Sequence, residues 1–312
     1  MKVLFIDIVH PILEERLTNA GYICVDGTKM SREECEKEII DASGVVVRSR
    51  FRMDASFLSV AKHLRFIARS GAGMENIAID YCQKKNIALF NAPEGNRNAV
   101  GEHALGMLLT LFNRLHIADR EVKSGKWDRE GNRGIELDGK TIGLIGFGNN
   151  GAAFAKKLRG FDVEILAYDK YKSNFGNEFV QESNLEELYQ KCDVISFHIP
   201  QNEETIYFAN DAFFTSFQKA VFLVNLSRGK VVQTSSLVQS LKNGKVLGAC
   251  LDVLEYEKSS FESFFEQEMN EDFHYLLHSE KVLLSPHVGG WTKESYFKLS
   301  NVLADKILSY PQ

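Results

Sequence analysis

The sequence predicts a parallel α/β protein built from two domains, and three observations carry this prediction. Short apolar runs alternate with amphipathic segments along the whole chain, a pattern typical of parallel strands joined by helices. The chain has 312 residues, which is more than one hydrophobic core usually organises. A glycine-rich turn of the kind that opens an α/β domain lies near the middle of the chain, at Gly146–Gly151. A separate unit of flavodoxin-like α/β type is therefore expected to precede it.

Strands are predicted wherever a short apolar run is bounded by polar or turn-forming residues. In the first third of the chain, these runs are Val3–Ile6, Tyr22–Val25, Gly44–Arg48, Leu64–Ala68 and Ile87–Phe90. In the remainder they are Thr141–Gly146, Val163–Asp169, Asp193–His198, Ala220–Asn225, Val246–Asp252 and Lys281–Ser285. The first helices are predicted at Pro11–Ala20, Ser31–Ala42, Asp54–Ala61 and Ile79–Lys85, and a long apolar helix is predicted from about Asn98 to Arg120.

The end of the chain decides how the two domains are connected. Only one further helix is predicted after the last strand, at Ser295–Tyr310, and it is too small to be a domain. We expect it to pack on the first unit, which makes that unit discontinuous: residues 1–97 with 288–312, and residues 98–287 inserted between them. A substrate is expected in the cleft between two such domains. The acidic, aromatic-rich segment Lys258–Glu280 is predicted to be a long loop or a short helix.

Composition excludes several classes of function. The net charge of −5 gives no reason to expect a nucleic-acid partner. No apolar run reaches the length of a membrane span, and the N-terminal run is too short for a signal peptide. The five cysteines are scattered and lack Cys-x-x-Cys spacing, which favours reduced thiols, a cytoplasmic location and no metal site.

The glycine turn predicts a dinucleotide site. Gly146, Gly148 and Gly151 form a Gly-x-Gly-x-x-Gly motif between a predicted strand and a helix, and Asp169 ends the next strand. The glycines allow a tight turn and a close approach of the backbone to a pyrophosphate, which the helix N-terminus attracts. The acid would accept hydrogen bonds from ribose hydroxyls, which favours NAD over NADP, although two lysines nearby soften that preference. A turn without a ligand and a methyltransferase loop are the alternatives.

Three further residues suit the oxidation of a 2-hydroxy acid. Arg228, Glu257 and His287 each follow a predicted strand, where parallel sheets bind ligands. A histidine can take the hydroxyl proton, an arginine can bind the carboxylate through two parallel hydrogen bonds, and a glutamate can orient the histidine. Taken singly, each residue also has an ordinary explanation, as a surface arginine, a loop acid or a capping histidine.

These motifs together resemble the D-isomer-specific 2-hydroxyacid dehydrogenases along nearly the whole chain. The matching stretches, in order, are Gly146–Gly151 with Asp169, Cys192–Pro200 with Glu204–Thr205, Asn225–Val232 with Gly248–Val253, and Pro286–Gly290. The resemblance implies a Rossmann-type NAD-binding domain inserted into a flavodoxin-like domain, and a homodimer formed through the NAD-binding domain. It also implies that Arg228 binds the substrate carboxylate, that His287 is the acid/base and that Glu257 is its partner. The implied cofactor-binding residues are Gly146, Gly148, Asn149, Asn150, Gly151, Asp169, His198, Pro200, Leu226, Asp252 and Gly289.

Within the family, the first domain is most similar to D-3-phosphoglycerate dehydrogenases. The supporting stretches are Val47–Arg50, Ala68–Asn76 and Asn91–Asn96. By this similarity, Arg48, Arg69 and Asn96 contact a phosphorylated substrate. The family resemblance implies that the backbone around Gly71, Ala72 and Gly73 helps to bind the substrate carboxylate. The alternative explanation is that Arg48, Arg50, Arg52 and Arg69 form a solvated basic face. Two other functions on the same fold stay open: a hydroxypyruvate or glyoxylate reductase, and an NAD-sensing interaction protein of the corepressor type.

The sequence departs from the family pattern at three positions. Asn150 stands where most members have an apolar residue, and Gln233 replaces a common acid. Lys258 replaces the usual proline after Glu257, and a loop without that proline can place the glutamate differently. A C-terminal regulatory domain, and serine feedback through it, are not expected from this chain.

Overall fold

The computed structural model describes residues 1–257 and 270–311. The chain divides into two compact units, Met1–Arg97 with Trp291–Gln312, and Asn98–Gly290. The sequence analysis set the second boundary after residue 287, whereas this division sets it after Gly290. The expected parallel α/β class is confirmed, because neighbouring strands run parallel within each of the two sheets.

Twelve strands are present among the described residues. They are β1 (Lys2–Phe5), β2 (Ile23–Asp26), β3 (Gly44–Val47), β4 (Phe66–Arg69), β5 (Ala88–Asn91), β6 (Thr141–Ile145), β7 (Glu164–Tyr168), β8 (Gln181–Glu182), β9 (Val194–Phe197), β10 (Val221–Asn225), β11 (Val246–Leu251) and β12 (Val282–Leu284). All of the predicted strands are present, with ends shifted by one or two residues. The two-residue strand β8 was not predicted, since so short a segment carries no alternation to detect.

The helices of the described residues lie between these strands. They are α1 (Ile12–Asn19), α2 (Arg32–Glu38), α3 (Ala55–Ser59), α4 (Ile79–Lys84), α5 (Pro93–Phe112), α6 (Leu115–Lys123), α7 (Asn149–Lys157), α8 (Leu185–Lys191), α9 (Asp211–Ser216), α10 (Thr234–Lys242), α11 (Glu271–His278) and α12 (Lys293–Leu308). None of them is both long enough and apolar enough to cross a lipid bilayer.

The first unit contains a five-stranded sheet in the order β2-β1-β3-β4-β5, which is the flavodoxin-like order. Helix α12 belongs to this unit. Its buried residues Leu299, Leu303 and Ile307 join a core cluster with Val3 and Leu13. The last helix of the chain therefore completes the core that the first strand begins.

The second unit contains a seven-stranded sheet in the order β12-β11-β10-β9-β6-β7-β8. This is the doubly wound Rossmann order extended by one strand. The side chains of its central strands belong to two buried clusters, both of which contain leucine, valine and phenylalanine. Because all strands run in the same direction, the loops that follow β6, β7, β9, β10, β11 and β12 all emerge at one edge of the sheet.

The single long helix predicted from about Asn98 to Arg120 is wrong in two respects: α5 begins earlier, at Pro93, and the helix is broken before it reaches Arg120. The chain forms two helices there, α5 and α6, separated at Arg114, whose φ of 51° lies in the left-handed region. The Asn113 side chain donates to the carbonyl of Leu109, 3.1 Å away, and Arg114 pairs with Glu280 at 3.3 Å. Neither a glycine nor a proline lies at the break, and the apolar pattern continues across it. A sequence pattern therefore predicts one uninterrupted helix.

Candidate active site

The glycine turn between β6 and α7 has the geometry that a pyrophosphate requires. Gly146 has a φ of 96°, and a Cβ on Gly151 would lie 2.2 Å from the carbonyl oxygen of Gly146. A Cβ on Gly148, by contrast, would have no atom within 4 Å. The fold therefore needs Gly146 and Gly151 for its own packing, whereas Gly148 keeps open a space that the protein does not fill.

The start of α7 presents polar groups around this space. Gly148 is the N-cap residue and offers no capping side chain, so the helix N-terminus keeps its electropositive character. Asn150 Oδ1 is buried without a hydrogen-bond partner among the described residues. The open cradle at a helix N-terminus fits the pyrophosphate of a dinucleotide, and the orphaned acceptor could meet only a donor of that ligand, such as a ribose hydroxyl.

Asp169 follows β7 and is tied to the glycine turn. Its Oδ2 accepts a hydrogen bond from the backbone N–H of Phe147 at 2.8 Å, and its Oδ1 accepts from Tyr171 and Lys172 at 3.0 and 3.1 Å. A carboxylate has about four acceptor positions, so acceptor capacity remains for a ribose hydroxyl. The Lys172 ammonium donates to the carbonyl of Phe147 at 3.1 Å, which places a positive charge beside the acid.

His198 and Pro200 follow β9 on the same edge. The Nε2 atom of His198 lies 2.9 Å from the hydroxyl of Ser196, and its ring packs against Phe154 with centroids 5.6 Å apart. Burial lowers the pKa of His198 to about 3. This imidazole is therefore neutral at physiological pH, which suits a wall of a cofactor pocket better than proton transfer.

Arg228 follows β10 in a turn that is fixed on both sides. The Asn225 amide donates to the carbonyl of Arg228 at 3.0 Å, and the Arg228 guanidinium donates to the carbonyl of Ser227 at 2.6 Å. A Cβ on Gly229 would lie 1.9 Å from the carbonyl oxygen of Leu254. The absence of a side chain at Gly229 thus lets the turn after β10 pack directly on the loop after β11.

Glu257 and His287 form the contact expected of an acid/base pair. The Nδ1 atom of His287 lies 2.7 Å from Oε2 of Glu257, and both side chains are largely buried. The other oxygen of Glu257 accepts from the backbone N–H of Leu254, which fixes the carboxylate. With Nδ1 paired in this way, Nε2 is the ring nitrogen that would exchange a proton with a substrate. Lys258, the departure noted beside Glu257, lies outside the described residues.

Asp252 anchors the loop that carries His287. Its side chain is 2% exposed, and Oδ1 accepts from the Ser285 hydroxyl at 2.6 Å and from Val288 N–H at 2.9 Å. Oδ2 accepts from Gly289 N–H at 2.8 Å, and the backbone carbonyl of Asp252 accepts from His287 N–H, also at 2.8 Å. These bonds hold His287 at its left-handed φ of 54°, an unusual conformation for a residue with a side chain.

The sequence analysis missed two members of this network. Ser285 bridges Asp252 and His103, whose Nε2 lies 3.0 Å from the Ser285 hydroxyl. Ser285 directly follows β12, so its strand-end position was a usable signal. His103 lies within α5, and nothing in the local pattern distinguishes it from an ordinary helix residue. Leu226 and Gly289 meet beside this network, where a Cβ on Gly289 would lie 3.0 Å from Leu226 Cδ2.

In the first unit, the substrate-binding candidates follow adjacent strands. Arg48 follows β3, and Val47 pairs with Arg69 at the end of β4. The Arg69 guanidinium lies over Gly71, where a Cβ would be 1.6 Å from Nη1. The Asn91 amide donates to the carbonyl of Ala72 at 2.6 Å, which fixes the loop that continues to Gly73. Asn96 lies in the first turn of α5, and its Oδ1 is buried without a hydrogen-bond partner among the described residues.

The explanation of a solvated basic face does not hold for Arg50. Its guanidinium points inward and donates to the backbone carbonyls of Ile6 and Gly27, each at 3.0 Å, and to that of Met30. Arg50 therefore ties three loops together, whereas Arg48 makes no such bonds among the described residues.

A family model, the sequences of known proteins and a solved structure all indicate the family that the sequence motifs resemble. The family model for the D-isomer-specific 2-hydroxyacid dehydrogenase NAD-binding domain matches residues 105–289. A D-3-phosphoglycerate dehydrogenase of Archaeoglobus fulgidus is 35% identical over 99% of this chain, and the chain spans only 57% of that protein's length. A hydroxypyruvate reductase of Thermotoga maritima is 32% identical over 93% of this chain and 92% of its own.

A solved structure adds the fold-level comparison. The structure of a D-lactate dehydrogenase from Aquifex aeolicus, complexed with NAD and lactic acid, aligns with a TM-score of 0.83 and 27% identity, over 99% of this chain and 95% of the other. Sequence, strand order and site geometry thus agree. The chain belongs to the D-isomer-specific 2-hydroxyacid dehydrogenase family and carries that family's NAD-binding domain.

Proposed function

We propose that this protein is an NAD-dependent dehydrogenase of D-2-hydroxy acids, with D-3-phosphoglycerate and 3-phosphohydroxypyruvate as its substrate pair. The observation that carries the proposal is the arrangement of Arg228, Glu257 and His287. They follow the three adjacent strands β10, β11 and β12 at the edge that also bears the glycine turn. On this proposal the enzyme works in the cytoplasm, at the entry to serine biosynthesis.

Each of the three residues has a defined role. NAD, when bound, supplies the acceptor for the hydride that leaves the substrate carbon. His287 takes the hydroxyl proton at Nε2, while Glu257 holds the ring through Nδ1 and stabilises its positive charge. Arg228 binds the substrate carboxylate through its planar fork and polarises the developing carbonyl.

The cofactor-binding roles follow from position along the sheet edge. The turn at Gly146–Gly151, with the N–H groups of Asn149 and Asn150, would hold the pyrophosphate. Asp169 would accept from the adenosine ribose. His198, Pro200, Leu226, Asp252 and Gly289 would surround the nicotinamide half. The buried Asp252 carboxylate is already bonded to two backbone N–H groups, so it can bind a carboxamide only through its remaining acceptor positions.

The phosphate assignment rests on the first unit. Arg48 follows β3, Arg69 ends β4 and Asn96 lies in the helix after β5, and a substrate that carries both a carboxylate and a phosphate requires several such donors. The roles given to Gly71, Ala72 and Gly73 are those of backbone donors to the substrate carboxylate. The inward orientation of Arg50 supports the assignment. Its guanidinium is used within the protein, whereas Arg48 and Arg69 are the arginines proposed to bind the phosphate.

A second candidate function is a hydroxypyruvate or glyoxylate reductase, supported by the nearly full-length match to the Thermotoga protein. Following NADH absorbance with phosphorylated and plain 2-hydroxy and 2-keto acids separates the two. In addition, Arg69→Ala should raise KM for 3-phosphoglycerate much more than KM for D-glycerate. An unchanged KM for 3-phosphoglycerate would mean that the phosphate assignment is wrong.

The corepressor-type alternative makes the opposite prediction for catalysis. An NAD-sensing interaction protein needs no acid/base, so its activity should not depend on His287. We expect His287→Ala to abolish turnover of every acid that the wild type accepts, while NADH still binds. Turnover that survives this change would refute the mechanism.

A further inference from the structure

The guanidinium of Arg48 lies over the indole ring of Trp291. Its Cζ atom is 3.6 Å from the ring centroid. No ion pair or side-chain hydrogen bond joins this guanidinium to any residue within 1–257 or 270–311. Burial also lowers the pKa of Arg48 below its ordinary value. The side chain is therefore a partly desolvated cation whose one close partner in the described chain is an aromatic face.

The neighbouring acid does not take the place of an ion-pair partner. Asp7 Oδ2 accepts from the backbone N–H groups of Arg48, Ser49 and Arg50, the last two at 3.1 and 3.3 Å. This carboxylate therefore fixes the turn after β3 rather than the guanidinium. The hydrogen-bonding edge of Arg48 stays available for an anion.

Trp291 is itself held in place before any ligand binds. Tyr296 packs edge-on against its ring with centroids 5.7 Å apart, and His10 packs against Tyr296 at 5.3 Å. Trp291 directly precedes Thr292, the N-cap residue of α12, which forms a capping box with Ser295. A capped helix and a row of packed rings thus hold the indole in place, and the guanidinium lies over this fixed ring.

We propose that Trp291 is a specificity-determining positioning residue, which orients Arg48 to bind a second anionic group of the substrate, a phosphate. The inference rests on the proposed function. Because the indole covers one face of the guanidinium, the N–H donors at its edge remain to meet the phosphate oxygens, as bidentate recognition requires. Plain 2-hydroxy acids lack the second anion and gain nothing from this arrangement.

The first test is a kinetic comparison of Trp291→Leu with the wild type. We expect KM for 3-phosphohydroxypyruvate to rise about tenfold, while kcat stays within about twofold because the acid/base pair is untouched. KM for hydroxypyruvate should not change. Trp291→Phe keeps an aromatic face and should restore most of the affinity.

Phe297→Leu is the matched control, since Phe297 is an α12 ring of similar exposure that packs on His10 and not on Arg48. It should leave both KM values unchanged. If Trp291→Leu raises both KM values equally, or neither, Trp291 is not a determinant of specificity. If the wild type does not turn over phosphorylated acids at all, the proposed function itself is wrong. The kinetics of the wild type alone show this, without any variant.

The second test needs no variant of Trp291 and no turnover. The chain has two tryptophans, so Trp127→Phe leaves Trp291 as the sole indole. Titration with 3-phosphoglycerate should change its emission to saturation, and adding Arg48→Met should remove the change. D-glycerate should have little effect. An equal response to D-glycerate, or no response to 3-phosphoglycerate in an enzyme that turns it over, would overturn the inference.

Discussion

At the scale of single residues, the proposed chemistry depends on one half-buried pair, Glu257 and His287, and on the acid that anchors it. His287 takes a left-handed backbone conformation, held by hydrogen bonds to Asp252, and its ring meets Glu257 at 2.7 Å. The imidazole is thus aimed by its own backbone and oriented by its partner. Removing the charge of Glu257 should impair catalysis without moving the ring far.

Glu257→Gln is the change that tests this pair. The amide keeps the size of the side chain, but it loses the negative charge that stabilises a protonated histidine. We expect kcat to fall about a hundredfold, measured by steady-state NADH formation. Glu255→Gln is the control, because that acid bonds to Tyr207 and to the N–H of Thr234 and not to His287. Equal losses in the two variants would contradict the assigned role.

A second residue-scale prediction concerns His198 and pH. Its pKa is lowered to about 3 in the folded protein, whereas an unfolded histidine takes up its proton near pH 6.5, roughly. Below that pH the unfolded state binds the extra proton, so the free energy of unfolding should fall by up to about 1.4 kcal/mol per pH unit. Above pH 7 the effect is absent.

Urea denaturation of the wild type and of His198→Asn between pH 7 and pH 4.5 measures this effect. Asparagine is neutral in both states, so the variant should lose stability less steeply as the pH falls. Parallel pH profiles for the two proteins would show that His198 is protonated in the folded state.

At the scale of elements, the site depends on how two loops pack. Gly229, in the turn after β10, lies so close to the carbonyl of Leu254 that a Cβ would be 1.9 Å from it. The turn that bears Arg228 and the loop that bears Glu257 are therefore positioned by one backbone contact. A methyl group at this point must push them apart.

Gly229→Ala should accordingly damage the site more than the fold. We expect kcat/KM to fall about a hundredfold, since small displacements of binding groups are costly, and the melting temperature to fall as well. Gly160→Ala is the comparison, because a Cβ there would meet no atom within 4 Å. Near-normal kcat/KM in Gly229→Ala would show that the two loops adapt independently.

The elements also show which parts of the structure the sequence can predict. Strand ends were predicted closely because apolar runs end sharply at polar residues, so Arg228, Glu257 and His287 stood out by their positions after strands, whereas Asp252 was assigned by the family resemblance. The break at Arg114 was missed because no glycine or proline marks it. The stacking of Arg48 on Trp291 was also missed, since the two residues are far apart in sequence and no local pattern relates them.

At the scale of the whole molecule, each unit has its own sheet and core, and the second also exposes apolar side chains on and after α6. Leu115 and Val122 are 54% and 51% exposed, and Trp127 is 78% exposed. Such a patch is typical of a surface that binds another protein. We propose that it contributes to a homodimer formed through the NAD-binding domain.

Val122→Asp tests the dimer directly. Placing a charge in a buried contact is costly, so the variant should elute as a monomer in size-exclusion chromatography with light scattering, at concentrations where the wild type is dimeric. Ile23→Asp is the control, because Ile23 is similarly exposed but belongs to β2 of the first unit. If the Val122→Asp variant is still dimeric, α6 is not part of the dimer interface.

At Gly148, the residue that would give the most stable fold differs from the residue that cofactor binding requires. No atom lies within 4 Å of a Cβ placed there, and the backbone is extended. Alanine would therefore fit the fold, and it would restrict the unfolded chain more than glycine does. Laboratory evolution that rewards heat resistance alone should accumulate alanine at this position and lose the cofactor as it does so. Selection for thermostability should therefore be coupled to NAD binding at every round.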